Sequence, residues 1–510
     1  MQRAWHLVKS SFIVILFFGL SKATGLVRIL LVGRVFGTGP EADAFTAANQ
    51  LPEVFFVLLA GGALTAAFIP VYSQYLTGPR ARESAKLANT ILTLVLVVLG
   101  GICVVTALLA PFITRHLLTP HFSPAQQALT AHLMRIILIN TTLFGLSGVL
   151  SSILNAHQHF ALPALAPVAL DLGYFIGLFL LTPRLGIDGL AWGTVAGALL
   201  HIAIQLPALL RYRIRYRPQI SLELAGVREI IRLMGPRIVM LGAIQVADLF
   251  IIRLGSRLPA GSVSGYFYGF TLMQLPETLF GTALAIVVFP TLAELYNAGD
   301  IAGMKRTAIT VLRLIWLLTI PAAVGMVWLA RPALALLFQR GAFDAASTAI
   351  VSGVLMFLSV RIVSEASLEI VARLFYARHN TFTPMLAYLG WLGVNIVGIY
   401  LFTERLGVQG LALSSTLAFT LLAIVLYGLN RRELGDLGER ESARGFGRIL
   451  LATLAMSLVI WGLRQLPLSD WLYLPLAAGA GALVYLGLYV ALGGREFHTL
   501  RQLLRPAVSA

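Results

Sequence analysis

Charge is scarce in this chain: 12% of its 510 residues are Asp, Glu, Lys or Arg, against roughly a quarter in soluble globular proteins. That shortage, beside a hydrophobic share of 58%, excludes an ordinary soluble domain and leaves an integral membrane protein. Cysteine is nearly missing as well. The single Cys103 excludes an intrachain disulfide framework and reads as a packing residue. Metal-ligand spacing is also lacking, since His116, His121, His132, His157, His159 and His379 fall near span ends with only an accidental His157-x-His159 pair. No phosphate-cradling loop, nucleophile triad or zinc motif occurs. An ATP-driven pump is therefore excluded, no resident cofactor is expected, and any transport must draw on a coupling cation (Na+ or H+), the membrane potential or the substrate's own gradient.

Apolar stretches near the roughly 20 residues needed to cross the hydrocarbon recur from end to end. Fourteen are read, the first over roughly 10–35 and the last over roughly 471–493, giving an all-α polytopic membrane protein. The N-terminal stretch imitates a signal peptide, but its apolar pattern continues through Arg28 to Val35, so it is expected to remain as the first helix. Lys and Arg accumulate on alternate loops, among them Arg80, Arg82 and Lys86, the run Arg211, Arg213, Arg215 and Arg217, then Arg431 and Arg432, and the tail Arg495, Arg501 and Arg505. Cytoplasmic loops collect such residues, which places both termini in the cytoplasm. The net charge of +16 is topogenic and suits anionic lipid; without a folded soluble domain to present it, no nucleic-acid partner is expected.

The chain also repeats itself. Gln50-Leu51-Pro52-Glu53 returns as Gln274-Leu275-Pro276-Glu277, and Arg184-Leu185-Gly186 with Gly189-Leu190-Ala191 returns as Arg405-Leu406-Gly407 with Gly410-Leu411-Ala412. Such offsets, roughly 220 residues, mark two copies of one six-span unit, and an even span number makes the copies parallel. The expected organisation is an N-lobe over 1–218, a C-lobe over 219–435, and two unpaired spans with a tail over 436–510, the lobes enclosing a central cavity. Prolines 52 and 70 in the second span and 276 and 290 in the eighth predict bent helices there.

Charge inside a bilayer costs about 2.5–3.5 kcal/mol per residue on insertion scales, so it marks interior or wet positions. The first span holds Lys22, Arg28 and Arg34. Arg34 lies near Asp43 in sequence and is expected to pair with it or to snorkel, whereas Arg28 has no neighbouring carboxylate and is expected to face an anionic ligand. Arg361, Glu365, Glu369 and Arg373 recur every fourth residue of span ten, a stripe that can neutralise itself or offer a protonatable carboxylate for coupling. Asp248, Asn395 and Ser415 (with Gln245 and Ser414) supply oxygens from three further spans for a small coupling cation.

Gly37-Thr38-Gly39, Asp43-Ala44-Phe45, Leu51-Pro52 and Ala67-Phe68-Ile69-Pro70 together resemble the first hairpin of the MurJ/MviN lipid II flippases, within the multidrug/oligosaccharidyl-lipid/polysaccharide exporter superfamily. Gly261-Ser262-Val263-Ser264, Phe375-Tyr376 and Thr383-Pro384 extend the likeness through the second copy. The resemblance implies a fourteen-span, two-lobed transporter that moves a polyprenyl-diphosphate-linked cell-wall precursor outward across the cytoplasmic membrane by alternating access. By position it makes Arg28 a cavity arginine, with Lys22 a second cation and Asp43 the acidic residue of the outer hairpin. Around the sugar, Gln50, Gln274 and Glu277 are expected to line the cavity. The expected partners are the lipid-linked saccharide, the bilayer and cell-envelope biosynthetic enzymes. Departures are clear: Phe56 stands where the family usually shows an arginine, Phe270, Thr271 and Gln274 replace a usual Asp-Arg pair and Glu, and Ile251 and Ile399 replace two acidic cation ligands. An exopolysaccharide flippase or a cation-coupled drug exporter of the same superfamily is the alternative reading, and a membrane scaffold a more distant one.

Overall fold

The computed structural model of the chain describes residues 2–77, 83–212 and 216–494. Its regular structure is helical throughout the described residues, as it must be where no water is present to satisfy backbone N–H and C=O groups. Fourteen helical spans follow one another: α1 (Gln2–Phe36), α2 (Pro40–Leu76), α3 (Ser84–Leu118), α4 (Pro124–Ala156), α5 (Ala161–Leu185), α6 (Ile187–Arg211), α7 (Ala225–Gly255), α8 (Ser262–Asn297), α9 (Ile301–Leu337), α10 (Ala345–Ala377), α11 (Phe382–Leu406), α12 (Val408–Leu434), α13 (Glu439–Arg464) and α14 (Asp470–Ala491). Among the described residues, thirteen segments have the length and apolarity to cross a membrane, and α1 adds a 35-residue helix. Of the loop cations named above, Arg80, Arg82, Arg213, Arg215, Arg495, Arg501 and Arg505 lie outside the described residues.

The repeat is written in the backbone. Between α5 and α6, Gly186 takes φ 59°, ψ −138°; between α11 and α12, Gly407 takes φ 59°, ψ −136°, a region open essentially to glycine alone. Three residues on, a Cβ on Gly189 would stand 2.4 Å from the Thr182 nitrogen, and one on Gly410 would stand 2.3 Å from the Phe402 oxygen. Only hydrogen fits where the two helices turn back on themselves. The ends of α4 and α10 match too: Gln158 and His379 both take positive φ, 58° and 59°, each closing its helix with a left-handed residue. At the opposite ends, Ser123 caps α4 and Asp344 caps α10. The Asp344 carboxylate accepts from the Ser347 N–H at 2.8 Å, a backbone contact that holds its pKa below the usual carboxylate range.

Both second spans are bent in one manner. In α2 the residues Phe56–Ala60 form a wide turn closed by Gly61 N–H donating to the Phe56 carbonyl at 2.6 Å; in α8 the residues Thr278–Thr282 do the same, with Ala283 N–H donating to Thr278. The wide turn begins three residues after Glu53 in α2 and directly after Glu277 in α8, in each case past a proline that has already removed one backbone donor.

The chain condenses into two compact units, residues 1–264 and 265–510. This boundary differs from the sequence repeat, which ends its first copy at residue 218. The seventh span, α7, opens the second copy in sequence but packs within the first unit. The Gly226 N–H donates to the Tyr75 hydroxyl at 3.0 Å, and Arg253 donates to the carbonyls of His116 and Leu117 at 2.9 and 2.6 Å. In the second unit α13 and α14, unpaired in the repeat, pack against α9. Leu314, Leu317 and Ile320 of α9 share one apolar core with Ile449, Met456, Tyr473 and Tyr485, and the Tyr485 hydroxyl donates to the Leu317 carbonyl at 2.7 Å. Burial of side chains this large contributes about 1.5–3 kcal/mol each where water is the reference; in lipid, close packing and the hydrogen bond carry more of the adhesion.

Candidate functional site

In the first unit the charged site centres on Arg28 of α1. Arg28, without a carboxylate nearby in the chain, meets one brought by the fold: Asp171 of α5 lies 3.3 Å from Arg28 Nη1. Chain proximity could not reveal a carboxylate four spans away. Thr24, one helical turn before Arg28, donates its hydroxyl to Asp171 Oδ2 at 2.6 Å, and the Arg28 guanidinium lies over the Tyr174 ring at 4.5 Å from its centroid. Asp171 and Tyr174 are three apart on α5, so they present a carboxylate and an aromatic face to the same guanidinium. The contact to Asp171 is single and longer than a bidentate fork. The Arg28 side chain stays 28% exposed while that of Asp171 is 6% exposed. Glu53 lies within electrostatic range of Tyr174. Lys22 is exposed on α1, and Gln50 is buried in α2.

Asp43 has a different task from the one expected. It sits 1% exposed in the first turn of α2, where its carboxylate accepts from the Gly261 N–H at 2.6 Å, the Ser264 N–H at 2.7 Å and the Ser264 hydroxyl at 2.6 Å. These donors fill both oxygens, and no Arg34–Asp43 ion pair is present among the described residues. The motif Gly261-Ser262-Val263-Ser264 is thus a set of donors for Asp43, a relation that the sequence displayed as two separate motifs.

In the second unit, charge gathers where α8 meets α10. Arg361 lies 2.8 Å from Glu365, donates to the Ser415 hydroxyl at 2.5 Å, and stacks over the Phe419 and Phe270 rings at 3.9 and 4.9 Å. With two rings against it, its fork engaged and 5% of its surface exposed, this guanidinium is committed to the protein interior. Arg373 pairs with Glu369 one turn further along α10. Glu277 is 5% exposed and accepts the Thr282 hydroxyl at 3.1 Å. The wide turn of α8 brings it there: a Cβ on Gly281 would stand 2.6 Å from the Ala366 Cβ, so only glycine lets α8 approach α10 this closely. Glu277 therefore joins Glu365 and Glu369 in one electrostatic field with Arg361, and Arg373 enters the group through its pair with Glu369, three carboxylates against two guanidiniums. Gln274, by contrast, is exposed.

Of the oxygens expected to hold a coupling cation, those of the second unit are partly engaged by other groups. Ser415 is engaged by Arg361, while Ser414 donates to the Asn395 carbonyl at 2.8 Å. The Asn395 side-chain amide is buried without a hydrogen-bond partner, and Asp248 is half-buried in α7. Among the described residues, no group of three or more His, Cys, Asp or Glu side chains is placed to hold a metal ion. Elsewhere in the second unit, an apolar groove of about 530 Å³ is lined by Trp316, Val363, Ser367, Ile424, Tyr427 and Phe446, from α9, α10, α12 and α13.

The fold and these charged, bent spans define a polytopic, all-helical membrane protein with charge held between its spans. A solved structure titled as lipid II flippase MurJ in an inward closed conformation matches 97% of this chain and all of its own, with a TM-score of 0.79 at 21% identity. An inward-facing multidrug-resistance MATE transporter matches 82% of the chain and 96% of its own, with a TM-score of 0.72 at 15% identity. At these identities the likeness concerns the fold. The family is settled by sequence: the family model described as "Lipid II flippase MurJ" matches residues 32–479. A relative from Vibrio cholerae, a probable lipid II flippase MurJ, is 30% identical over 518 residues, 96% of this chain and 97% of its own. The lipid II flippase MurJ of Burkholderia cenocepacia is 28% identical over 452 residues, 87% of each chain. The chain belongs to the MurJ family, a family of transporters.

Proposed function

We propose that this protein flips a polyprenyl-diphosphate-linked saccharide, the peptidoglycan precursor lipid II first among candidates, from the inner to the outer leaflet of a bacterial cytoplasmic membrane. The names of its relatives support the substrate, and the observation within this chain that carries the reading is Arg28. A guanidinium held at one corner by Asp171, seated on Tyr174 and still partly exposed is suited to grip a diphosphate through its remaining donors. Arg361 is too fully committed to serve as a second clamp, so Lys22 is the assisting cation and Gln50 and Gln274 contact the saccharide. Glu277, buried against α10, acts through the charge balance of that site. The polyprenyl tail occupies bilayer and the apolar groove beside α13.

Translocation proceeds by alternating access with no covalent step at the protein, and both termini face the cytoplasm. The charge-unbalanced Glu277–Glu365–Glu369 group is the place where a proton or the membrane potential acts on the cycle. Cell-envelope enzymes supply and consume the lipid. Fluorescent lipid II translocation by the full chain in vesicles tests the reading: Arg28→Ala is expected to slow transport more than tenfold, and a wild-type rate would refute the role of Arg28. Failure to rescue a strain depleted of its lipid II flippase, with rescue of an exopolysaccharide flippase mutant instead, would transfer the reading to that substrate.

A further inference from the structure

Asp171 was in no motif and in no repeat, yet it is the buried carboxylate that meets the one partly exposed guanidinium of the first unit's charged site. Its two oxygens are used unequally. Oδ2 takes the Thr24 hydroxyl at 2.6 Å, a firm contact, while Oδ1 stands 3.3 Å from Arg28 Nη1, a loose one. Thr24 and Arg28 are one turn apart on α1, so the carboxylate bridges the helix surface and is held in place by the hydroxyl whether or not the arginine stays with it. The guanidinium keeps its place independently, on the Tyr174 ring. Each partner of the pair thus has its own anchor, and the ionic contact between them can open without either side chain losing its seat.

From this we infer that Asp171 is an exchangeable counter-ion, a positioning residue that holds Arg28 when the site is empty, yields it to the diphosphate of the lipid, and takes it back as the lipid leaves. The inference rests on the proposed diphosphate binding at Arg28. Its physical content is competition. An arginine alone within a bilayer protein would bind a diphosphate tightly and release it slowly, because the emptied state would strand a charge. A carboxylate already in place raises the energy of the loaded state relative to the empty one and so speeds release. Tyr174 contributes by keeping the guanidinium plane in register while its partner changes.

Kinetics of lipid II translocation in proteoliposomes of the full chain test this. Asp171→Asn keeps the size of the side chain and an oxygen for Thr24, and removes the competing charge. It is expected to lower KM about tenfold, the scale of one charge-assisted contact, with kcat falling by a similar factor. Asp171→Glu, which restores the charge, is expected to return both constants toward the wild-type values. Equilibrium binding of a polyprenyl diphosphate to detergent-purified protein should tighten in Asp171→Asn by the same factor. If Asp171 is merely structural, Asp171→Asn will raise KM or lower the amount of folded protein with KM unchanged, and the inference falls. If Arg28→Ala transports and binds like wild type, the underlying reading of Arg28 falls instead. Loss of activity in Arg28→Ala together with unaltered constants in Asp171→Asn would overturn the exchange while sparing the binding site.

Discussion

Gly186 and Gly407 share their backbone angles to within a few degrees, whereas the charges mounted on the two copies share almost nothing. In the first copy a single arginine is paired loosely and left partly open; in the second, two arginines and three glutamates close upon one another. Even the shared Gln-Leu-Pro-Glu segment diverges: Glu277 accepts the Thr282 hydroxyl within the α8–α10 group, whereas Glu53 keeps accessible surface and lies within electrostatic range of Tyr174 in the Arg28 site. Shape is set by backbone hydrogen bonds and close helix contacts, which a bilayer enforces at every position. Charge is needed only where a ligand or coupling ion is met, so one copy can lose it without losing the fold. A duplicated transporter can therefore keep its mechanics and change its cargo.

The largest effect that would challenge this contrast lies in the glycines. Gly189→Ala and Gly410→Ala each drive a methyl group into backbone and should cost about 3 kcal/mol or more, equally in both copies. Size-exclusion chromatography after graded heating in detergent checks this, and unequal losses would break the claim of equivalent turns. Next is transport: Arg28→Ala should slow translocation more than tenfold, whereas Ile252→Val, at the matching place in the second copy, should leave the rate within about twofold.

A smaller effect separates the two glutamates of the repeated segment. Glu277→Gln removes one negative charge from a buried group in excess by one and should stabilise the protein by about 1 kcal/mol, while Glu53→Gln should shift the melting temperature little. Equal shifts would mean that the two environments are more alike than their charged neighbours suggest. Smallest of all are the caps. Asp344→Ala should cost about 1 kcal/mol at neutral pH, and Ser123→Ala a similar or smaller amount. Only the first should vary with pH. The folded pKa of Asp344 is lowered, so its contribution is complete above the unfolded value near 4 and is lost as pH falls through the folded value. Melting curves of both variants between neutral and acidic pH would show it.

Much of the fold could be read from the sequence because lipid leaves the chain few options: apolar runs become helices, and the repeated Arg-Leu-Gly and Gly-Leu-Ala segments fix matching turns. The site was less legible. Arg28 stood out by its cost in a bilayer, but Asp171 carried no such signal, because a single Asp in an otherwise apolar span gains meaning only from the helix packed beside it. Asp43 was visible and misassigned, since proximity suggested Arg34 while the fold delivered the N–H groups of Gly261 and Ser264. The placement of α7 was likewise hidden. Repetition dates the spans to one ancestral unit, but contact decides which unit each one joins.

The wide turns in α2 and α8 bear on history. A helix acquires such a turn by accommodating one residue more than its regular winding allows; α3 and α5 carry such turns as well, at Thr114–Leu118 and Gly177–Leu181, but those of α2 and α8 both lie just past the repeated Gln-Leu-Pro-Glu segment. The simplest descent is that the ancestral six-span protein already carried the bend before its gene doubled. The irregularity is then older than the two-copy protein itself, and the charges that distinguish the copies are later inscriptions on an inherited frame.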